Sequence, residues 1–320
     1  MSTSELKHGD IHTNGIRMHY IEQGSGPLVV LCHGWPESWY SWRHQIPALA
    51  DAGFRVVAPD QRGYGNTDSP DAIAAYSIFN LVGDIVGLVK ALKETQAIVV
   101  GHDWGAIVAQ QCALLRPDLF RALALLSVPY LARKPMRPAA LYHMATQNMH
   151  FYQDYFQEPG RVERELEQDV RKNLAGLYYG ASGDAPPAEF AGMFPKSMRF
   201  SDALRMPEKL PPWLSAADLD FYTAEFTRAG FQGGINWYRN FDSNWAATPF
   251  QDGAKLLQPT VFIAGEKDLV LRMAAEDVKN LAANAPKLRG HHIIPGAGHW
   301  VQQERPAEVN KLLVDFVTAL

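Results

Sequence analysis

A short apolar run that ends in glycine, proline or a turn and then passes into a helical pattern recurs through the first third of this chain. That alternation limits the fold more than any other feature. The runs are residues 28–32 (LVVLC), 55–58 (RVVA), 97–100 (AIVV) and 122–126 (ALALL). Between the second and third, Leu81, Ile85, Leu88, Val89 and Leu92 fall at helical spacing; after Gly101 a second helix is expected over residues 104–116, where Pro117 stops it. Neighbouring strands joined by a helix run parallel, because only a crossover long enough to return the chain to the same end can pair them that way.

The pattern breaks off near residue 129. From there to residue 245 aromatics, arginines and prolines mix with helical stretches such as residues 162–174 (VERELEQDVRKNL), and strand-like runs vanish. They return at residues 260–264 (TVFIA) and 291–294 (HHII), and an amphipathic helix is expected over residues 307–320. The sequence therefore predicts an α/β fold, with a mostly parallel sheet flanked by helices built from residues 1–128 and 246–320 and a helical cap inserted at 129–245. A length of 320 residues suits one core with a large insertion better than two ordinary domains.

Composition narrows the partner. Thirty Lys and Arg against 34 Asp and Glu give a net charge of −4, which offers little to nucleic acid or to an anionic membrane. No run of about 18 apolar residues and no basic-flanked apolar leader occurs. The two cysteines, Cys32 and Cys112, sit in apolar patterns rather than in a disulfide framework. A soluble cytoplasmic protein is expected, monomer or homodimer, acting on a small apolar molecule. HExxH and paired CxxC motifs are missing, Gly63-Tyr64-Gly65 lacks the rest of a dinucleotide fingerprint, and strand alternation sends His291 and His292 to opposite faces. Neither a metal nor a cofactor is expected.

Gly101-His102-Asp103-Trp104-Gly105 joins the third run to its helix. Small residues two before and two after a central side chain permit the sharp strand-to-helix turn of a nucleophile elbow, where larger ones would collide across the turn. Here the central residue is aspartate, and no serine in the chain has glycine at both flanking positions. His33-Gly34-Trp35-Pro36 follows the first run, where a loop N–H can pair with the N–H after the nucleophile to hold an oxyanion. Trp35 and Trp104 are the expected donors, Pro36 makes a cis bond after Trp35 accessible, and His33 is expected to be structural. Asp268 lies just past residues 260–264 in Gly265-Glu266-Lys267-Asp268, and His299 just past 291–294 in Gly296-Ala297-Gly298-His299-Trp300. A lone loop acid or histidine is more often structural. At the carboxyl ends of three strands and in the order Asp103, Asp268, His299, the three predict the nucleophile, acid and base of an α/β-hydrolase fold.

These motifs, with DQRGYGNTDSP over residues 60–70, resemble those of the epoxide hydrolases, and the resemblance covers nearly the whole chain. It is sharpest in the cap, where FYQDYFQEPG (151–160) and NWYRN (236–240) look like two segments of the soluble epoxide hydrolases. The resemblance implies that each segment supplies a tyrosine whose hydroxyl binds the epoxide oxygen, Tyr152 and Tyr238, with Tyr155 and Tyr222 as nearby alternatives. It also implies the stand-alone form, without the separate phosphatase domain of the mammalian enzyme.

The chemistry implied is a carboxylate attack on carbon. Asp103 would form an alkyl ester while Tyr152 and Tyr238 receive the departing oxygen; His299, oriented by Asp268, would activate the water that hydrolyses the ester to a vicinal diol. Two other readings remain open. A haloalkane or haloacid dehalogenase shares the aspartate and the ester but needs a donor such as the indole of Trp104 or Trp35 at the halide, and a non-catalytic small-molecule receptor can share the fold. Met144, Met149, Phe190, Met193, Phe194 and Met198 suggest an apolar pocket suited to aryl or alkyl epoxides.

Overall fold

The apolar runs form the centre of an eight-stranded sheet in the computed structural model of the protein, which describes residues 6–145, 148–186, 192–204 and 206–320. Its first six strands are β1 (Lys7–Thr13), β2 (Ile16–Gln23), β3 (Leu28–Cys32), β4 (Arg55–Pro59), β5 (Ala97–His102) and β6 (Phe120–Leu126). Short strands β7 (Met149–Phe151) and β8 (Met193–Pro195) pair apart from them, antiparallel, and β9 (Thr260–Gly265) and β10 (Leu288–Ile294) complete the large sheet in the order β1-β2-β4-β3-β5-β6-β9-β10. Every pairing from β4 to β10 is parallel, and only β2 runs against its neighbours.

The apolar runs of the core strands are continuous because both faces are covered. In β3, Leu28, Val30 and Cys32 join a cluster with Leu81 and Leu88 of α2 (Ile78–Ala91) and Val108 of α3 (Trp104–Leu115). Val29 and Leu31 face the opposite cluster, with Ile46 and Leu49 from the Gln45–Asp51 helix, α1, and Val309 and Leu313 near the carboxyl terminus. The β1/β2 hairpin was not among the expected strands. β1 is mostly exposed and polar, so no apolar run marks it, and its signal is instead the Asn14-Gly15 turn, where both residues have positive φ (46° and 78°).

The chain leaves the sheet after β6 and rejoins it at β9. Between them lie α4 (Pro138–Ala145), α5 (Tyr152–Tyr155), α6 (Arg161–Leu166), α7 (Val170–Ala181), α8 (Ala216–Ala229), α9 (Gln232–Tyr238) and α10 (Phe241–Ala247). Two details differ from the sequence reading. The β7/β8 pair is a strand element of three residues a side, too short for periodicity to register. Residues 162–174 divide between α6 and α7 because Asp169 caps the second helix, its side chain accepting from the Lys172 N–H. Beyond β9 come α11 (Leu269–Met273) and α12 (Pro306–Thr318). Among the described residues no helix is long and apolar enough to cross a membrane.

Candidate active site

Asp103 sits between β5 and α3 with φ 53° and ψ −121°, a conformation a side-chain-bearing residue adopts only when its surroundings enforce it. A Cβ on Gly101 would strike the Gly105 carbonyl, and one on Gly105 would strike the Cys32 carbonyl. The glycines thus let the turn tighten until the Asp103 carboxylate stands clear of it. Trp35, joined to Pro36 by a cis peptide bond, donates its N–H to Asp103 Oδ1 at 2.9 Å. Trp104 is the first helical residue of α3, where a backbone N–H has no acceptor within its own helix.

The other carboxylate oxygen, Oδ2, lies 3.4 Å from His299 Nε2. On the far side of the ring, Nδ1 is 3.1 Å from both oxygens of Asp268, and since a carboxylate there accepts, Nδ1 carries the proton. Asp268 is fully buried and also accepts from the Val270 N–H at 2.9 Å, which fixes its plane. Burial alone would disfavour the charged form of each member. It tends to raise Asp103, but the His299 hydrogen bond and charge, the charge of His102 and the Trp35 N–H outweigh it and leave Asp103 below the ordinary carboxylate value. Burial tends to lower His299, yet the Asp268 charge and the bonds to Asp103 and Asp268 hold it well above the ordinary imidazole value.

Across from the carboxylate stand the two phenols. Tyr152, at the start of α5, and Tyr238, the last residue of α9, face each other with ring centroids 5.9 Å apart, and their hydroxyls are hydrogen-bonded. Burial and the Asp103 charge push Tyr152 up, and burial with the charges of Tyr152 and Asp103 pushes Tyr238 well up, so both are protonated at neutral pH. The Trp104 side chain hydrogen-bonds to the Tyr238 hydroxyl. Tyr155 and Tyr222 point elsewhere, Tyr155 to Glu165 Oε1 (2.5 Å) and Tyr222 to Gln303 Oε1 (3.1 Å). Arg239 joins the two tyrosine segments: it forks onto Glu163 (2.6 and 3.0 Å) and donates to the carbonyls of Phe156 and Glu158. Gln157 bridges the carbonyls of Gln153 and Tyr238.

Asp103, Tyr152 and Tyr238 line two adjoining chambers of about 350 and 70 Å³. The larger is walled by Leu131, Leu141, Phe151 and Phe241 among others; the smaller holds His299, Trp35, Phe200 and Trp300. Of the residues expected to form an apolar pocket, Met144, Met149, Met193, Phe194 and Met198 do not line either chamber. Met144 is largely exposed, Phe194 is buried in the core, and Met198 packs against that core. Met149 and Met193 belong to the β7/β8 pair, and Phe190 lies outside the described residues.

Several site-building residues escaped sequence reasoning. Both ring nitrogens of His102 face oxygen acceptors, Glu37 Oε2 at 2.8 Å and the His299 carbonyl at 2.7 Å, and Glu37 also accepts from the Gly34 N–H and from Gln302 and Gln303. This buried network ties the Trp35 loop, the elbow and the His299 loop together. Residues 37 and 102 lie 65 positions apart, so no local signal in the sequence joins them before the chain folds. His33, as expected, is structural: it faces its neighbour's carbonyl and accepts from the Gln61 N–H. Among the described residues no group of three or more His, Cys, Asp or Glu side chains is placed to hold a metal.

Residues 27–306 match the family described as alpha/beta hydrolase fold. Over 316 residues the chain is 44% identical to epoxide hydrolase A of Mycobacterium tuberculosis, covering 97% of each. An epoxide hydrolase from an endophytic Streptomyces superposes with a TM-score of 0.96 at 46% identity, covering 98% of this chain and 96% of that one. Epoxide hydrolase A from Mycobacterium thermoresistibile superposes at 0.94 with 45% identity, covering 99% of both chains.

Proposed function

The chain belongs to the epoxide hydrolases of the α/β-hydrolase fold, and from that premise we propose that it opens an epoxide and releases a vicinal diol, with Asp103 as nucleophile, Tyr152 and Tyr238 as acids and His299 acting on water. The observation that carries the reading is the opposition of one carboxylate to two protonated phenols across a largely apolar cavity. An epoxide needs an attacking group at carbon and an acid at oxygen, on opposite sides of the breaking bond. Residues 129–245 serve as the cap that carries the acids.

The geometry supports a separate task for each carboxylate oxygen. Trp35 holds Oδ1, which leaves Oδ2, 3.4 Å from His299 Nε2, as the attacking oxygen. The Asp103 Oδ2–carbon bond forms, the ring C–O bond breaks, and the ring oxygen takes a phenol proton. Asp103 is then a neutral ester and no longer supports a positive charge on His299. The histidine's affinity for a proton falls, and neutral Nε2 can take a proton from the water that attacks Asp103 Cγ. The charge that develops on Oδ1 is already met by the Trp35 N–H, with Trp104 N–H the second expected donor; a donor of this kind contributes about 2.7–4 kcal/mol to the transition state. Breaking Cγ–Oδ2 releases the diol, whose departing alkoxide carries that oxygen away and takes the proton held by His299, and the second proton of the water, freed as Asp103 returns to a carboxylate, restores the phenol.

Halide release fits the site less well, because two protonated phenols face the carboxylate and, of the two candidate indoles, that of Trp104 is engaged by Tyr238, which leaves only the unpaired Trp35 indole to meet a halide. A cytoplasmic setting accords with two buried, free cysteines. The test is a single turnover of styrene oxide, enzyme in excess, in heavy-oxygen water. The first diol should be unlabelled and the label should enter Asp103; labelled first-turnover diol, or chloride release from haloalkanes without diol formation from epoxides, would overturn the reading.

A further inference from the structure

One wall of the larger chamber carries a hydrogen-bonded chain that ends on Tyr152. The Tyr142 hydroxyl, from α4, donates to Gln153 Oε1 at 2.5 Å, and Gln153 Nε2 donates to Tyr152 Oη at 2.7 Å. All three residues line the chamber. An amide nitrogen only donates, so a lone pair of Tyr152 Oη is filled from this side and the phenol's own proton has to point elsewhere. Tyr238 and Asp103 line the same chamber.

We propose that Gln153 is a positioning residue for ring opening: its amide, oriented by Tyr142, reserves the Tyr152 proton for the epoxide oxygen and holds the phenolate left behind. The proposal rests on the epoxide-opening reading. In the step it serves, the Tyr152 O–H bond breaks as an O–H bond forms on the ring oxygen, while Asp103 Oδ2 bonds to carbon and the ring C–O bond breaks. The phenolate is costly where it forms, since burial and the Asp103 charge both oppose it and the Asp268 charge adds to them. The hydrogen bond from Gln153 acts in the other direction, because a donor aimed at the charged form stabilises that form. Tyr142 is placed to keep the amide from turning over: its hydroxyl meets the carbonyl end, which leaves the nitrogen toward Tyr152.

Two variants separate donation from packing. Gln153→Leu removes the donor, and ester formation from styrene oxide in a pre-steady-state experiment should slow roughly ten- to a hundred-fold, as expected for a hydrogen bond to a charged group, while ester hydrolysis keeps the wild-type rate. Gln153→Glu keeps the shape and the Tyr142 bond but replaces the N–H with an acceptor when ionised. The ionised carboxylate should draw the Tyr152 proton away from the substrate, so this variant is slower than Gln153→Leu at high pH. It should recover as pH falls and the carboxyl becomes a donor, a limb the wild type lacks. The titratable groups facing this position are Tyr142 from α4, Tyr152 and Asp154 beside it on α5, Tyr238 from α9, Asp242 from α10, Asp103 at the elbow and Asp268 beyond β9, and all are common to both variants. Ester formation unchanged in Gln153→Leu, Gln153→Glu as fast as wild type at high pH, or both steps slowed alike with no new limb would overturn the proposal. Wild-type protein that forms no diol would overturn the epoxide reading as well, whereas wild-type turnover beside unaffected variants removes Gln153 alone.

Discussion

The two sides of the cavity are built by different means. On the sheet side, the three residues are held through their backbone: Asp103 donates its N–H to the Leu126 carbonyl and Asp268 to the Gly265 carbonyl, while the His299 carbonyl accepts from the Ser127 and His102 side chains and its N–H reaches across to the carbonyl of Ala181, the end of α7 in the insertion. On the cap side, the partners of the two phenol oxygens are side chains, Gln153 and Trp104, and the segments that bear the phenols are joined through Arg239, Glu163 and Gln157. In the proposed reaction, covalent chemistry and water activation would rest on residues at strand ends, where main-chain bonds leave little freedom. Leaving-group chemistry would then rest on the helical insertion, which sets two phenols beside the carboxylate.

If that division is functional, each side should control its own step. The largest effect is expected from the cap. Replacing both Tyr152 and Tyr238 with phenylalanine removes both acids and should slow ester formation by about 10²- to 10⁴-fold, the usual range for general acid catalysis. Rapid-quench measurement of ester, with the melting transition as a check on folding, tests this, and substantial retained ester formation would break the division at once. On the sheet side, His299→Gln leaves the nucleophile and phenols in place. Ester should form and persist to one equivalent per enzyme, visible by intact-mass measurement, with turnover down about 10²- to 10³-fold for loss of the base; a variant that is slow in ester formation yet never accumulates ester would contradict the assignment.

A milder effect follows from titration. Asp103 lies below the ordinary carboxylate value, so ester formation is lost only as pH falls through that lowered value and is otherwise level above it. Ester hydrolysis requires neutral His299 and should rise with pH and then level off. Because His299 is raised in the free protein partly by Asp103, and the ester removes that charge, the hydrolytic limb should lie below the His299 titration of the free protein. Ester should therefore accumulate at mildly acid pH and fade as pH rises. Hydrolysis that tracks the free-protein titration would show that esterification does not release the histidine.

Legibility in the sequence followed the same division. The elbow, the acid and the base were readable because each depends on local chemistry: glycines that permit one turn, and loops that follow strands. The two tyrosines were readable only through resemblance to a known family, since nothing in the periodicity of residues 151–160 or 236–240 distinguishes a substrate-facing phenol from a packed one. Tyr155 shows the difficulty. Three residues from Tyr152 and in the same short helix, it is turned to Glu165 and lies under the Arg161 guanidinium. The apolar wall was the poorest reading, because methionines and aromatics in a helical insertion serve its own core as readily as a cavity.

The chain's alternation of apolar runs and helices determined a parallel sheet, and its glycine spacing determined that an aspartate side chain would stand clear of a tight turn, because both follow from sterics within a few residues. The tertiary structure decided what that aspartate can do. It placed Trp35 on one oxygen and His299 beside the other, buried the Glu37–His102 pair beneath them, and set Tyr152 with Gln153 across the cavity. Apart from the neighbours Tyr152 and Gln153, those contacts join residues far apart in the chain, and the protonation of the groups they join depends on burial and neighbouring charge, neither of which exists until the chain has folded.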